Sequence, residues 1–446
     1  LHDALPIFWR MKMKLKRKLA TGLAITLLLG SLVGCSNSND ANASKGEKTD
    51  SNITKIDFWA PLGGTNGETA QKMVDQFNSE HKDVQVNMLK QKDYYENATK
   101  LQAALTSKDQ PDVTLLEITQ TGTFASAGAL VDMSKYFDKT YQERFFSGLL
   151  TNSYYEDKFV GMPFNRSTPI LYINKDMATK AGLDPSGPKS WEELKDYASK
   201  MTNKSEDTYG FETPIDIWFY EAMVMQSGGE ITNGKKVAFN NEAGQAPVKF
   251  WQDMMKAGIM KMPPGEDYNA WDVAKQDFVN GKVGMIFTST ADLAGLMQQT
   301  EGKFEISTAF LPKNQKYATP TGGANLVMLE GGTDKEKEAS AEFIEWMTQT
   351  DKIVQFSSST GYLPTTEDAT NSEKLQTLYK EKPQYKVATD QLQYAVALPM
   401  LNGYKEATDK LMDEIKKGLT DLNANPKDVV SKGTSAMQAV IDKTNK

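Results

Sequence analysis

From residue 53 onward the apolar positions fall into short runs whose period switches between two and that of a helix. Residues 53–59 carry Ile53, Ile56, Phe58 and Trp59 and end at Pro61-Leu62-Gly63-Gly64, the pattern of a strand and a turn. A helix is predicted from about Glu68, where Met73, Val74 and Phe77 share a face. Residues 84–88 alternate as a strand, 94–105 have helical period, and 112–116 form a short apolar run after Pro111. Strand, helix, strand, helix, strand in this order predicts a parallel α/β sheet. Ser190-Trp191-Glu192-Glu193 has the spacing of a capping box, opening a helix to about Met201. Further helices are predicted over 241–257, 270–280, 335–348, 405–418 and 427–444, and strands over 283–287, 306–311 and 325–329. No internal repeat is visible.

The pattern before residue 53 is of another kind. From Met11 the chain reads Met-Lys-Met-Lys-Leu-Lys-Arg-Lys, then an apolar run through Leu23, Ile25, Leu27, Leu28 and Leu29, then small residues before Cys35. This is the layout of a bacterial signal peptide, with an apolar core shorter than a membrane span. Leu32-Val33-Gly34-Cys35 resembles a lipobox, in which the cysteine thiol is acylated and becomes the new N-terminal residue. Leu1–Arg10 precede a better start and read as extraneous, so 1–34 is expected to be removed. Residues 36–52 are rich in Ser, Asn, Lys and Asp and almost free of apolar side chains, the composition of a flexible tether. The expected location is extracytoplasmic, with Cys35 lipid-anchoring the body to the cell membrane.

Length and composition narrow the chemistry. The 446 residues, 39% hydrophobic and 24% charged, suit two or three soluble domains. The formal charge is −7, but the first 34 residues hold six basic side chains and one acidic; without them the balance is −12, which nucleic acid would repel. One cysteine allows no internal disulfide and no Cys-rich metal site. His2 lies in the leader, leaving His81 alone in the body, which excludes multi-histidine zinc sites and leaves any His-based triad a single histidine to draw on. No cofactor or metal is expected. Among the aromatics, Trp251 and Trp346 sit at apolar helical spacing beside Phe250 and Phe343 and read as core, and Trp191, first in its helix, reads as a packing staple. Trp218 and Trp271 follow loop-like segments and suit either a core or a cleft whose flat apolar faces receive a sugar.

In the middle of the chain the residues become specific. Gly161-Met162-Pro163-Phe164-Asn165-Arg166-Ser167-Thr168-Pro169, continuing through Tyr172-Ile173-Asn174-Lys175-Asp176 to Ala181-Gly182-Leu183-Asp184-Pro185 and Ser190-Trp191-Glu192-Glu193-Leu194, closely resembles the extracellular solute-binding proteins of ABC sugar importers. Phe278-Val279-Asn280-Gly281-Lys282-Val283-Gly284-Met285, Thr321-Gly322-Gly323-Ala324-Asn325 and Ser359-Thr360-Gly361-Tyr362-Leu363-Pro364 agree with it. Within the family the likeness is greatest to glycerol-phosphate and glycerophosphodiester binders. The resemblance implies an α/β, two-lobed periplasmic-binding-protein-like fold (type II). Lobe 1 would comprise 53–164 and 323–361, and lobe 2 165–322 and 362–446, with crossings near Pro163–Thr168, Pro320–Ala324 and Gly361–Pro364. It further implies a monomer that binds a small carbohydrate in the cleft and hands it to ABC permease subunits, touching the membrane through its lipid anchor only.

The resemblance also implies binding roles, residue by residue. Tyr94, with Tyr95 as its local competitor, matches a cleft tyrosine, and Glu117 matches an acceptor for ligand hydroxyls. Ser167 matches a hydroxyl donor, Trp218 an aromatic wall, and Ser289 a serine of the second lobe. Gly323 would offer its backbone amide where a side chain would block approach, and Tyr362 lies in the third crossing. Near Ala397-Leu398-Pro399-Met400 the phosphate binders place an arginine that this chain lacks. Arg166 replaces a small residue beside Ser167 and would compensate if it pointed inward, the alternatives being a solvated side chain or an inter-lobe salt bridge. A neutral sugar is therefore expected over glycerol phosphate. Two other classes fit the composition: a secreted glycosidase pairing Glu117 with Asp216 or Asp267, and a lipid-anchored adhesin or chemotaxis receptor module of the same fold.

Overall fold

The computed structural model describes residues 53–445; the leader, Cys35 and the tether lie outside the described residues. Two five-stranded sheets organise the body, each the centre of a lobe. Across the first run Val84–Lys90, Thr54–Ala60, Val113–Glu117, Gly322–Met328 and Met162–Ser167. The first three are parallel, as the early alternation of strands and helices predicts, and Gly322–Met328 is antiparallel to both of its neighbours. Across the second run Met260–Lys261, Phe211–Glu212, Met285–Ser289, Pro169–Asn174 and Ile306–Ala309, with Pro169–Asn174 antiparallel to both of its neighbours.

Both sheets are covered by helices on each face, so their strands are apolar on both sides. Along Pro169–Asn174, Leu171 and Ile173 enter the core that holds Phe219, Trp251 and Leu411. The alternate residues Ile170 and Tyr172 enter the core of Phe278 and Ile353 on the opposite face. In the first sheet Leu326 and Met328 pack with Phe343 and Trp346, while Val327 packs with Leu101 and Phe124. Trp251 and Trp346 are buried core residues; Trp191 is also buried and donates its indole N–H to Gln226 at 2.9 Å. His81 stacks on Phe77 at the end of Gly64–Glu80, its Nδ1 2.9 Å from the Phe77 carbonyl.

The chain first changes sheet at Thr168, between Met162–Ser167 and Pro169–Asn174. The expected division after 164 thus falls inside a strand of the first sheet, where Arg166 and Ser167 still pair with Gly323 and Gly322. It returns before Gly322–Met328 and crosses again after helix Thr350–Thr360, at Gly361. The three crossings are bonded together: the Leu363 amide donates to the Arg166 carbonyl at 2.9 Å, and the Arg166 side chain donates to the Gly322 carbonyl at 3.0 Å.

Several elements depart from the expected bounds for local reasons. The first helix starts at Gly64, because its first turns bury Gly67, Thr69 and Ala70, small residues that give no hydrophobic signal. A methyl on Gly67 would lie 2.5 Å from the Leu62 carbonyl oxygen. Ser190 caps Trp191–Met201 by accepting from the Glu193 amide at 3.2 Å, but Glu193 accepts from the Lys189 amide, so the reciprocal half of the expected box is displaced by one residue. Helix Asp334–Met347 carries the complete box, between Thr333 and Glu336. Helix Ile217–Gln226 has no polar face for periodicity to register, since Phe219 through Gln226 are all buried.

Candidate ligand-binding site

The strands of both sheets deliver residues to one cavity of about 190 Å³ between the lobes. Glu117, Ser167 and Ser289 are each the last residue of their strands, so they reach it from the carboxyl ends, where α/β sheets gather their ligands. Tyr94 opens helix Tyr94–Ser107, whose N-terminus is fixed by Asp93 accepting from the Tyr95 and Glu96 amides. Trp218 lies in the first turn of Ile217–Gln226, capped by Asp216. Tyr94, Glu117, Ser167, Trp218, Ser289, Gly323 and Tyr362 all line the cavity.

Their environments differ. The Tyr94 hydroxyl accepts from Asn165 Nδ2 at 2.5 Å and lies 3.2 Å from the Tyr362 hydroxyl, while Tyr362 stacks on Phe356. Trp218 stacks on Trp271 at 5.8 Å with 20° between planes, giving one wall two indoles. The Trp218 indole N–H donates to the Thr321 carbonyl at 3.3 Å, across to the second crossing. Ser289 Oγ is occupied locally, accepting from the Ala291 amide at 3.1 Å. Gly323 has φ +83°, and a Cβ there would lie 2.0 Å from the Asn165 carbonyl oxygen. The adjoining strand therefore demands glycine at this position whether or not a ligand approaches.

Arg166 is not part of the cavity wall. Its side chain is fully buried and donates to the carbonyls of Gly322 and Leu149, to Asn325 Oδ1 and to Thr321 Oγ1. The conditional inward clamp, the solvated side chain and the salt bridge are all replaced by a guanidinium knitted to neutral acceptors. Its charge nevertheless reaches Glu117 and opposes the rise of that carboxyl.

The structure admits Tyr95 beside Tyr94 rather than in its place, and adds residues that one sequence does not single out. Tyr95 lines the cavity together with Tyr94 and meets Tyr268 from the opposite lobe at 5.5 Å. Lys405 Nζ lies 4.1 Å from the centroid of the Tyr95 ring. Glu221, buried in the apolar helix Ile217–Gln226, accepts a hydrogen bond from Tyr404. Tyr404 and Lys405 open a helix whose amphipathic period alone conceals that its first turn faces a site. Only the paired aromatics at 94–95 and the lone acid in an otherwise apolar helix signal this arrangement in the sequence. Leu398 also lines the cavity, at the position where the resemblance puts an arginine in phosphate binders.

The lining is acidic. Burial pushes the Glu117 carboxyl up to about 7, against two bonds from Thr119 and the charge of Arg166. Burial likewise pushes Glu221 up to about 8, and Asp216 and Glu117 add repulsion. Asp216 is raised too, chiefly by burial. Both lysines in the lining are engaged: Lys275 with Asp272 at 3.1 Å and Asp292 at 3.3 Å, Lys405 with Asp409 at 2.6 Å. Asp216 and Asp267, the acids considered as partners of Glu117 in a hydrolase, line the same cavity.

Comparison with known proteins places this geometry. A family model described as bacterial extracellular solute-binding protein matches residues 72–387. The chain is 26% identical over 372 residues to the sn-glycerol-3-phosphate-binding periplasmic protein UgpB of Pectobacterium atrosepticum, covering 79% of this chain and 82% of that protein. It is 25% identical over 373 residues to UgpB of Escherichia coli K12, covering 79% and 84%. UgpB from Mycobacterium tuberculosis, solved with glycerophosphocholine, superposes with a TM-score of 0.77 at 24% identity over 87% of this chain and 99% of that one. The GacH receptor of Streptomyces glaucescens, solved unliganded and with acarbose, gives 0.77 at 21% identity over 87% and 99%. At these identities the superpositions show the shared two-lobed, periplasmic-binding-protein-like fold.

Proposed function

Since the chain belongs to the bacterial extracellular solute-binding protein family, we propose that it is the capture component of an ABC importer, closing two lobes on a sugar or oligosaccharide and delivering it to membrane permease subunits. The observation that carries this reading is the cavity between the two sheets, where an indole pair and a set of hydroxyls and carboxylates converge. Stacked indoles match the C–H faces of a pyranose, and carboxylates accept from its hydroxyls. A phosphate instead wants fixed cations or a ring of amides. Here Leu398 is apolar, Arg166 is committed to neutral acceptors, and both lysines already hold carboxylates.

Glycerol phosphate or a glycerophosphodiester is the second reading, favoured by the names of the curated relatives and of one superposed structure. Hydrolysis of a glycoside by Glu117 with Asp216 or Asp267 is disfavoured by membership of a solute-binding family. A thermal-shift and calorimetric screen of sugars, oligosaccharides and glycerophosphodiesters tests all three readings. Stabilisation by a sugar without product supports capture, product formation supports the hydrolase, and tight binding of a glycerophosphodiester with no competing sugar supports the second reading. We further propose that Cys35 is acylated and tethers the body outside the membrane as a monomer. Fatty-acid labelling that persists in Cys35→Ala overturns the anchor.

A further inference from the structure

The cavity gathers three carboxyls that no basic side chain among the described residues pairs. Glu117, Asp216 and Glu221 all line it, and none of them lies within ion-pairing distance of a lysine, arginine or histidine among the described residues. Glu221 is only 1% exposed. One of its oxygens takes the Tyr404 hydroxyl, and the other receives no hydrogen bond among the described residues. Glu117 spends one oxygen on the Thr119 amide and hydroxyl, and Asp216 accepts from the Trp218 amide. The nearby cations serve elsewhere: Arg166 is tied to neutral acceptors behind the wall, and Lys275 and Lys405 hold Asp292 and Asp409.

The surrounding walls are aromatic rather than aliphatic. Trp218, Trp271, Tyr95 and Tyr268 face the same space, and the protein already seats an ammonium on one of these rings, Lys405 over Tyr95. Taking carboxylates out of water without a counter-charge is costly, and a cation held against a π-face gains from both the rings and the acids. Sugar hydroxyls bond to these carboxyls in either protonation state, whereas a bound cation draws them into the charged form. We propose that the captured solute carries a positively charged nitrogen, as in an amino sugar or a quaternary ammonium ester, seated among Glu117, Asp216 and Glu221 against the aromatic wall. The inference rests on reading the cavity as a solute-capture site and adds the charge of the ligand to it.

Calorimetry on the protein with matched ligands tests it. Glucosamine against glucose and N-acetylglucosamine, and fully deacetylated chitotriose against chitotriose, set a charged nitrogen against a hydroxyl or a neutral amide on the same ring. Choline and glycerophosphocholine supply the same cation without a sugar ring. The expected result is that the charged member of each sugar pair binds about tenfold tighter, the ratio that one cation–π contact or partly desolvated ion pair yields. Glu221→Gln should erase that ratio, and Asp216→Asn provides the same test if the first variant does not fold. Neutral sugars binding as tightly as their amines would overturn the inference while leaving sugar capture standing. Glycerophosphocholine binding with no sugar competing would overturn sugar capture and keep the cation.

Discussion

Glu221 shows how one side chain sets both charge and stability in the cleft. Its carboxyl is pushed up to about 8, first by burial and then by Asp216 and Glu117, against the bond from Tyr404. The folded state therefore holds this proton more tightly than the unfolded chain, and stability falls as pH rises from the ordinary carboxyl range through about 8. Glu221→Gln keeps an acceptor for Tyr404 and removes the titration. Chemical denaturation at pH 8.5 should find the variant more stable by on the order of a few kcal/mol, with the gain vanishing near pH 4.5. Trp218→Ala should weaken sugar binding by about 1–3 kcal/mol, as for an interface hot spot, read by titration calorimetry. Of these two residues Trp218 is the one the sequence offers for a cleft, because it follows a loop-like segment; Glu221 is marked only as the lone acid of an apolar helix, which tells of burial and not of what it faces.

At the scale of elements, the glycine at 323 fixes where one lobe ends. With φ +83° and the Asn165 carbonyl oxygen 2.0 Å from any added Cβ, Gly323→Ala must shift strand Met162–Ser167 and with it Ser167 and Asn165. Thermal denaturation should show a loss of about 2–4 kcal/mol, from backbone strain and displaced pairing together. The early strands and helices were readable because each has one clear period, and the helices over 242–256, 404–420 and 426–444 begin and end within a few residues of their expected bounds. What resisted reading was the segment from 162 to 174, where two strands of different sheets follow each other and every residue is buried. Without alternation, nothing local marks Thr168 as the change of lobe, and a motif likeness gave the crossing only to within a few residues.

Across the whole molecule, contacts between the lobes define a closed arrangement. Asn66 Nδ2 donates to the Ala291 carbonyl at 3.1 Å, and Tyr95 meets Tyr268 and Lys405 across the same gap. A solute touching both lobes adds its differential affinity to these contacts and shifts the population toward closure. Small-angle scattering should find a smaller radius of gyration at ligand saturation, and Tyr95→Ala should lower affinity by favouring the open form; an unchanged profile would argue against a hinged cleft. The strand order carries another consequence, for the time course of folding. Met162–Ser167 touches the rest of its sheet only through Gly322–Met328, which is made much later in synthesis. The first lobe thus cannot close its sheet until most of the polypeptide has emerged, and such distant pairing is slow. A chain that stays unfinished this long remains threadable through a secretion pore. Fragments ending before residue 322 should lack cooperative unfolding, whereas fragments extended past strand and helix to residue 361 should regain it in the first lobe.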